Sequence, residues 1–302
     1  MCKFIQDLQV IQGFVLPEEK LCLHTTWRIG GPAEVLVIPA TQEDVLNAIR
    51  IATLHSKPIT VIGNGSNLLV ADSGVRGLVL KLSGGLKSYS FEGNTLRAEA
   101  GCLLPGLART SVALGLSGLE FAAGIPASLG GALLMNAGAH GGELGNLVQD
   151  VLACKLDGEV ISISSERCNF GYRQSTFQQG EYIILSANLR LQPGDKAESL
   201  VKIKDNLERR KNSQPLDFPN AGSIFRNPPG VPAGKLIEEA GAKGLQVGGA
   251  LVSEKHANFI VNTGGATAAD VLAVINSVQE MVWQKFNILL HPEVRKLGCF
   301  RE

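Results

Sequence analysis

The chain has 302 residues, 45% of them hydrophobic, which is enough for two or three domains with sizeable cores. Lys and Arg total 28 and Asp and Glu total 28, so the net charge is zero and neither nucleic acid nor a membrane surface is expected as a partner. The six cysteines, at 2, 22, 102, 154, 168 and 299, form no CxxC pair and suggest reduced thiols without a metal, while the N-terminus MCKFIQDLQVIQG lacks a signal-peptide core and no run approaches the ~18 apolar residues of a membrane span, so a cytoplasmic protein is expected.

TQEDVLNAIRIATLHSKP carries a capping box, Thr41 with Asp44, then apolar residues at 45, 48, 49 and 52 and a proline stop at 58. This pattern predicts a helix that feeds the β-branched strand PITVI. The strand runs into GNGSNLLVADSGVRG, residues 63 to 77, where glycines allow a sharp turn and close approach of backbone N–H groups to an anion, with Ser66 and Asn67 as side-chain donors. A dinucleotide fingerprint fails here, because the third small position is Leu68, LLV reads as a strand, and SGGLKS about twenty residues on has no acid. A Walker loop fails too, since no Gly-Lys-Ser/Thr follows. On spacing alone, a structural hairpin and a phosphate cradle both fit.

Short strands, LVLKL and LRAEAG, are predicted next, followed by a helix in PGLARTSVALGL with proline at its start and glycine near its end. A second glycine-rich passage, FAAGIPASLGGALLMNAGAHGGELG, spans Phe121 to Gly145 and suits either close helix packing or backbone approach to a large ligand. Strands return in VLACKLDGEVISIS and EYIILSANLRLQ, around the polar insert CNFGYRQSTF. The mixed charges of KIKDNLERRK read as a solvated helix face, and a composition shift places a domain boundary near residue 200. Beyond it, AGKLIEEAG predicts a helix, HANFIVN a strand, and TAADVLAVINSVQEMVWQKF a helix with a Thr267–Asp270 capping box and an apolar face of Val271, Ile275, Val278 and Val282. ILLHPEVRKLG predicts a strand that presents Glu293.

Several residues carry chemistry in principle but also have ordinary readings. Tyr172 and Arg173 in FGYRQSTF could be surface residues, and Ser223 in NAGSIFRNP competes with a turn or capping serine. No GxSxG elbow is present. His256 reads as a packed, hydrogen-bonded residue, and Glu293 could pair with Arg295.

Taken in order, HTTWRIGGPA, GNGSNLLV, GIPASLGGALLMNAGAHGGE, FGYRQSTF, AGSIFRNP, KLIEEAGAKGLQVGGALVSEKHANFIVN and LHPEVR strongly resemble the UDP-N-acetylenolpyruvoylglucosamine reductase family, in its shorter class, from His24 to Gly298. The resemblance implies an α+β architecture: an FAD-binding fold of the vanillyl-alcohol oxidase (PCMH) type over residues 1–200, in two subdomains of about 1–80 and 81–200, and an α/β substrate domain over 201–302. It implies non-covalent FAD held by Gly63, Asn64, Gly65, Ser66 and Asn67 on one side and by Gly124, Ile125, Pro126, Ser128, Gly131 and Ala132 on the other. Ala127 departs from a glycine common in the family.

The implied reaction is reduction of UDP-N-acetylglucosamine enolpyruvate to UDP-N-acetylmuramate for peptidoglycan synthesis, with NADPH as the reductant and hydride reaching C3 of the vinyl group. Charge then builds at C2 and on the carboxylate, where preorganised donors act. By resemblance, Arg173 grips that carboxylate as a fixed cation, Glu293 assists as a neutral acid, and Ser223 gives the proton to C2. Tyr172, Arg226 and Asn227 are candidates for substrate positioning, and a monomer is expected. Two rivals are an oxidase of the same fold, which often tethers its flavin through His or Cys, residues absent from GNGSNLL, and a non-catalytic nucleotide-binding module.

Overall fold

The computed structural model describes residues 2–300. Its helices of ordinary α geometry are α1 (Lys3–Asp7), α2 (Gln42–Leu54), α3 (Leu104–Ala113), α4 (Leu129–Leu134), α5 (Lys196–Ser213), α6 (Ala233–Glu239) and α7 (Ala268–Phe286). Among the described residues, no helix is long and apolar enough to cross a membrane.

The chain forms two compact units, and they are interleaved in sequence. The first takes residues 1–17, 35–64 and 76–209, and the second takes 18–34, 65–75 and 210–302. The contiguous division expected at residue 200 therefore misses two excursions of the N-terminal part into the second unit. Their cause is packing: Trp27, Ile29 and Leu69 are buried in one cluster with Ile224, Phe225, Val271, Ile275 and Val278. Trp27 also donates its Nε1–H to Ile260 O at 3.0 Å, and Asn262 returns a bond to Trp27 O at 3.0 Å. A buried indole is held in place when its N–H finds such a partner.

Within the first unit, one sheet has the strand order Phe14–Pro17, Ala33–Ile38, Val75–Lys81, Ile59–Ile62. The first pair is antiparallel and the last is parallel. Helix α2 connects Ala33–Ile38 to Ile59–Ile62, and its predicted capping box forms, with Thr41 accepting from Asp44 N and Asp44 accepting from Thr41 N. Asp44 is itself buried, and it also accepts from the backbone of Gln12 and Ala40, which ties the N-terminal segment to the helix start. The second sheet is antiparallel throughout, in the order Val160–Ser164, Val148–Lys155, Tyr182–Arg190, Thr95–Glu99, Tyr89–Glu92. A single core joins both sheets, from Val35, Leu78 and Leu80 to Leu96, Val151 and Leu185.

The second unit holds α6, α7 and a three-stranded antiparallel sheet, Gln246–Val247, Ala250–Val252 and Ile260–Asn262. Helix α7 begins at the predicted Thr267–Asp270 capping box and buries Val271, Ile275, Val278 and Val282 as its pattern requires. Its first two backbone N–H groups, of Ala268 and Ala269, donate to the carboxylate of Asp72 at 2.8 and 3.1 Å. This ties residues 65–75 to the helix through a charge placed where the helix leaves donors unpaired. The C-terminal strand is shorter than expected. It runs Arg295–Leu297, parallel to Leu68–Val70, and Glu293 lies ahead of it because the chain changes partners: Glu293 N donates to Ile224 O and Arg295 N to Asn67 O.

Candidate active site

In the first unit the two glycine-rich passages meet although they lie some sixty residues apart. Asn64 donates its side-chain amide to Pro126 O at 2.8 Å, and Ser83 donates to Gly63 O at 2.8 Å. A Cβ on Gly63 would stand 2.3 Å from Ser128 Oγ, so the glycine is what lets the strand end and the start of α4 come together. Ser128 caps α4 by accepting from Gly131 N at 3.5 Å, while Ala132 is buried beneath it. Gly124 closes a short 3-10 turn, and Ile125 and Pro126 continue in a tight loop in which Ala127 N donates to Ile125 O. Ala127 is absent from the residues with a left-handed backbone, so nothing in its conformation requires glycine.

The other half of the first glycine loop belongs to the second unit. Gly65 has φ +68°, and a Cβ there would stand 2.0 Å from His24 O, so both conformation and space demand glycine. Thr26 N donates to Gly65 O, and Thr26 Oγ1 donates to Asn220 O at 2.7 Å. Ser66 is half-buried in the following turn. Asn67 uses its side-chain amide on Glu293 O at 3.2 Å, and its own carbonyl accepts from Arg295 N at 3.0 Å.

The Ser223 segment is extended and bonded along both edges. On one edge, Ile224 N donates to Asn258 O, and the buried Asn258 brackets Phe225, accepting from its N–H at 2.9 Å and donating to its C=O at 2.8 Å. On the other edge, Arg226 N donates to His291 O, and Glu293 N donates to Ile224 O at 2.7 Å. Glu293 is thereby brought opposite the residue that follows Ser223. The turn before Ser223 is closed by Asn220, whose Oδ1 accepts from Gly222 N at 3.0 Å, while Gly222 takes φ +78°. Asn220 thus closes the turn that leads into Ser223.

Arg226 keeps a buried Nε with no hydrogen-bond partner among the described residues. Asn227 is exposed and accepts from Ala233 N at 2.9 Å, at the start of α6. His256 behaves as the packed residue expected: its Nδ1 accepts from Asn258 N, its ring lies 4.7 Å from that of Phe259, and burial lowers its pKa.

Arg173 lies in the first unit on the turn Gly171–Gln174, with its guanidinium 5.2 Å from the ring of the exposed Tyr172 and Nη2 donating to Gly138 O at 3.3 Å. Its backbone is left-handed, φ +54°. Sequence reasoning passed over the residues that hold these side chains, namely Asn136, Gln178, Asn220 and Asn258. Asn136, Gln178 and Asn258 each bond a backbone group far along the chain, at Gly171, Leu134 and Phe225, which no local pattern signals, whereas the partners of Asn220 are local, at Pro215, Phe218 and Gly222.

Residues 33–164 match the FAD binding domain family, which with the two sheets defines a flavin-dependent oxidoreductase built on the vanillyl-alcohol oxidase type of fold. Residues 214–297 match the family described as UDP-N-acetylenolpyruvoylglucosamine reductase, C-terminal domain. The UDP-N-acetylenolpyruvoylglucosamine reductase of Carboxydothermus hydrogenoformans is 51% identical over 288 residues, covering 95% of each chain. That of Clostridioides difficile is 44% identical over 281 residues, covering 93% of this chain and 92% of its own. The crystal structure of the reductase from Thermus caldophilus superposes with a TM-score of 0.82 at 38% identity, covering 95% of this chain and 100% of that one. The chain belongs to the UDP-N-acetylenolpyruvoylglucosamine reductase family.

Proposed function

We infer that this chain reduces the enolpyruvyl ether of UDP-N-acetylglucosamine to UDP-N-acetylmuramate, with NADPH as the reductant and FAD as the carrier. The observation that carries the reading is the 51% identity over 288 residues, which covers 95% of both chains. FAD held by this chain would supply hydride transfer between NADPH and the vinyl carbon. The residues present fit such a cofactor: the bond from Asn64 to Pro126 O and the lack of a Cβ at Gly63 bring the backbones of the two glycine-rich passages together, an arrangement in which main-chain N–H groups can cradle an anion. We assign FAD to Gly63, Asn64, Gly65, Ser66 and Asn67 and to Gly124, Ile125, Pro126, Ser128, Gly131 and Ala132. Because the amides of Asn64 and Asn67 already bond Pro126 O and Glu293 O, their share in binding falls to backbone N–H groups.

Arg173 takes the substrate carboxylate as a permanently charged planar donor, steadied by its contact with Tyr172. Ser223 gives its proton to C2. Its hydroxyl is a weak acid in water, yet an enolate-like carbon is basic enough to take that proton when the two are held in contact. Glu293, set opposite Ile224, serves the carboxylate as the neutral acid, since a second negative charge would repel it. The orphaned Nε of Arg226 suits an acceptor from the nucleotide-sugar substrate, because a buried donor without a partner is costly until one arrives. A monomer working in the cytoplasm, where the sugar nucleotide and NADPH are found, is part of the same reading.

The test is anaerobic. Purified protein should be yellow, bleach on addition of NADPH, and regain its flavin absorbance when the enolpyruvyl sugar nucleotide is added. Bleaching without recovery, or rapid recovery with oxygen alone, would overturn the reading in favour of an oxidase. A colourless protein that takes up no FAD would favour a binding module.

A further inference from the structure

Arg173 is a long-chain residue in a backbone region that such residues seldom enter, φ +54°. A turn of this kind persists where its surroundings over-determine it. Reciprocal bonds between Gly171 and Gln174, at 3.1 and 3.0 Å, close the turn. Asn136, fully buried, donates to Gly171 O at 3.0 Å and accepts from Gly145 N at 2.8 Å. Ser175 donates to Leu134 O at 2.8 Å. Gln178 does something different: its amide donates both to Leu134 O, at 3.0 Å, and to Arg173 O, at 2.9 Å. Leu134 is the last residue of α4, so its carbonyl is one the helix leaves without an internal partner. The amino end of the Gln178 amide faces two carbonyl oxygens and, more loosely, Met135 Sδ at 3.6 Å, all of them acceptors, so only a donor suits that place.

We propose that Gln178 is a positioning residue for the reaction: it fixes the carbonyl of Arg173, and with it the backbone angle from which the guanidinium is aimed, by bonding that carbonyl and the end of α4 with one amide. The guanidinium is thus held at its root by Gln178 and at its tip by Gly138 O. Helix α4 is capped by Ser128, assigned to FAD, and ends at Leu134, so a single short helix references both the cofactor residues and the carboxylate-gripping residue. This rests on the assignment of Arg173 to the substrate carboxylate.

The experiment uses the FAD-loaded protein with Gln178→Met, which keeps length and removes the donor, and Gln178→Glu, which keeps shape and donates only when protonated. Flavin content and the rate of bleaching by NADPH should stay as in the wild type. Reoxidation by the enolpyruvyl substrate should slow on the order of 10- to 100-fold in Gln178→Met, the cost of displacing a gripping group by about 1 Å. Equilibrium binding of UDP-N-acetylmuramate, read by the perturbed flavin spectrum, should weaken in the same variant. Gln178→Glu should be slower still near pH 8 and recover relative to wild type as the pH falls towards 5, because the protonated acid donates again.

Equal slowing of both half-reactions, or a pH profile of Gln178→Glu parallel to the wild type, would show a structural residue and overturn the proposal. Arg173→Ala, run alongside, separates the two claims. If Arg173→Ala reoxidises at the wild-type rate, the reading of Arg173 falls and the proposal with it. If Arg173→Ala is slow while Gln178→Met is not, the reading stands and the positioning role is refuted.

Discussion

Arg173 and Ser223 are supported by different kinds of structure. Arg173 stands on a four-residue turn in a left-handed conformation, and much of the turn's bonding comes from side-chain amides, of Asn136 and Gln178. Ser223 heads an extended segment with backbone–backbone bonds on both edges, from Ile224 N to Asn258 O, from Arg226 N to His291 O and from Glu293 N to Ile224 O, to which the Asn258 amide adds its bonds to Phe225. A support made of backbone survives the loss of a neighbouring side chain with its geometry intact, whereas a support made of side chains can be dismantled by one substitution. Damage beside Ser223 should therefore appear first as lost stability, and damage beside Arg173 as lost rate.

The largest effect expected is on the chemistry that the extended segment presents. Ser223→Ala should leave flavin content and NADPH bleaching unchanged, while reoxidation by the enolpyruvyl substrate collapses by roughly 10²- to 10⁴-fold, as on loss of a positioned general acid. Ser223→Cys should recover part of that rate. Stopped-flow traces of the two half-reactions decide the matter, and unchanged reoxidation in the alanine variant removes Ser223 from the mechanism.

Asn258→Ala tests the support itself. It strips the partners from the buried N–H and C=O of Phe225 and should cost about 2–4 kcal/mol of stability. Because the backbone bonds of Ile224 to Asn258 and Glu293 remain, the folded fraction should turn over at a near-normal rate. Urea melts alongside single-turnover kinetics make the comparison, and a rate loss larger than the stability loss explains would break it.

Arg173→Lys keeps the charge but loses the planar fork. A loss of about 10-fold in substrate-driven reoxidation is expected, with bleaching by NADPH unaffected. A variant impaired equally in both steps would instead point to a general defect of the first unit.

The smallest effect supplies a first-unit counterpart to Asn258. Burial works against the charge of Glu120, yet hydrogen bonds from Ser199 Oγ at 2.7 Å and from Gly118 N at 2.7 Å, with Lys202 nearby, outweigh it and lower its pKa below the ordinary 4.5. A carboxylate whose folded pKa is depressed adds stability that is present above the unfolded value and disappears as the pH falls through the folded one. Wild type should thus exceed Glu120→Gln in stability at pH 6, and the gap should shrink below about pH 4.5, in urea melts from pH 6 to 3. The rate at pH 7 should change little, since the Glu120 carboxylate bonds Ser199 and Gly118, neither of which is assigned to cofactor or substrate. A gap that widens in acid would reverse the sign assigned here.

Gly65 also shows where reading from sequence stops. The glycine loop looks like one cradle in sequence, and by resemblance it serves one cofactor. In the fold it is divided, with Asn64 bonded to Pro126 in the first unit and Gly65 packed under His24 in the second. A substitution such as Gly65→Val therefore strikes the second unit as well as the cofactor loop.

The sequence by itself determined the features whose causes are local: the capping boxes at Thr41 and Thr267, the apolar face of α7, the proline-led start of α3 and the order of the motifs that mark the family. Each depends on residues within one or two turns of one another, where spacing alone sets which groups meet. Only the tertiary structure decided that Trp27 and Leu69 belong to the core of the second unit, that Asn258 brackets Phe225, and that Gln178 reaches both Arg173 and the end of α4. The physical reason is one of distance along the chain. A side-chain amide carries the same donors and acceptors wherever it stands, and which backbone groups it satisfies is settled only when packing brings remote segments within about 3 Å.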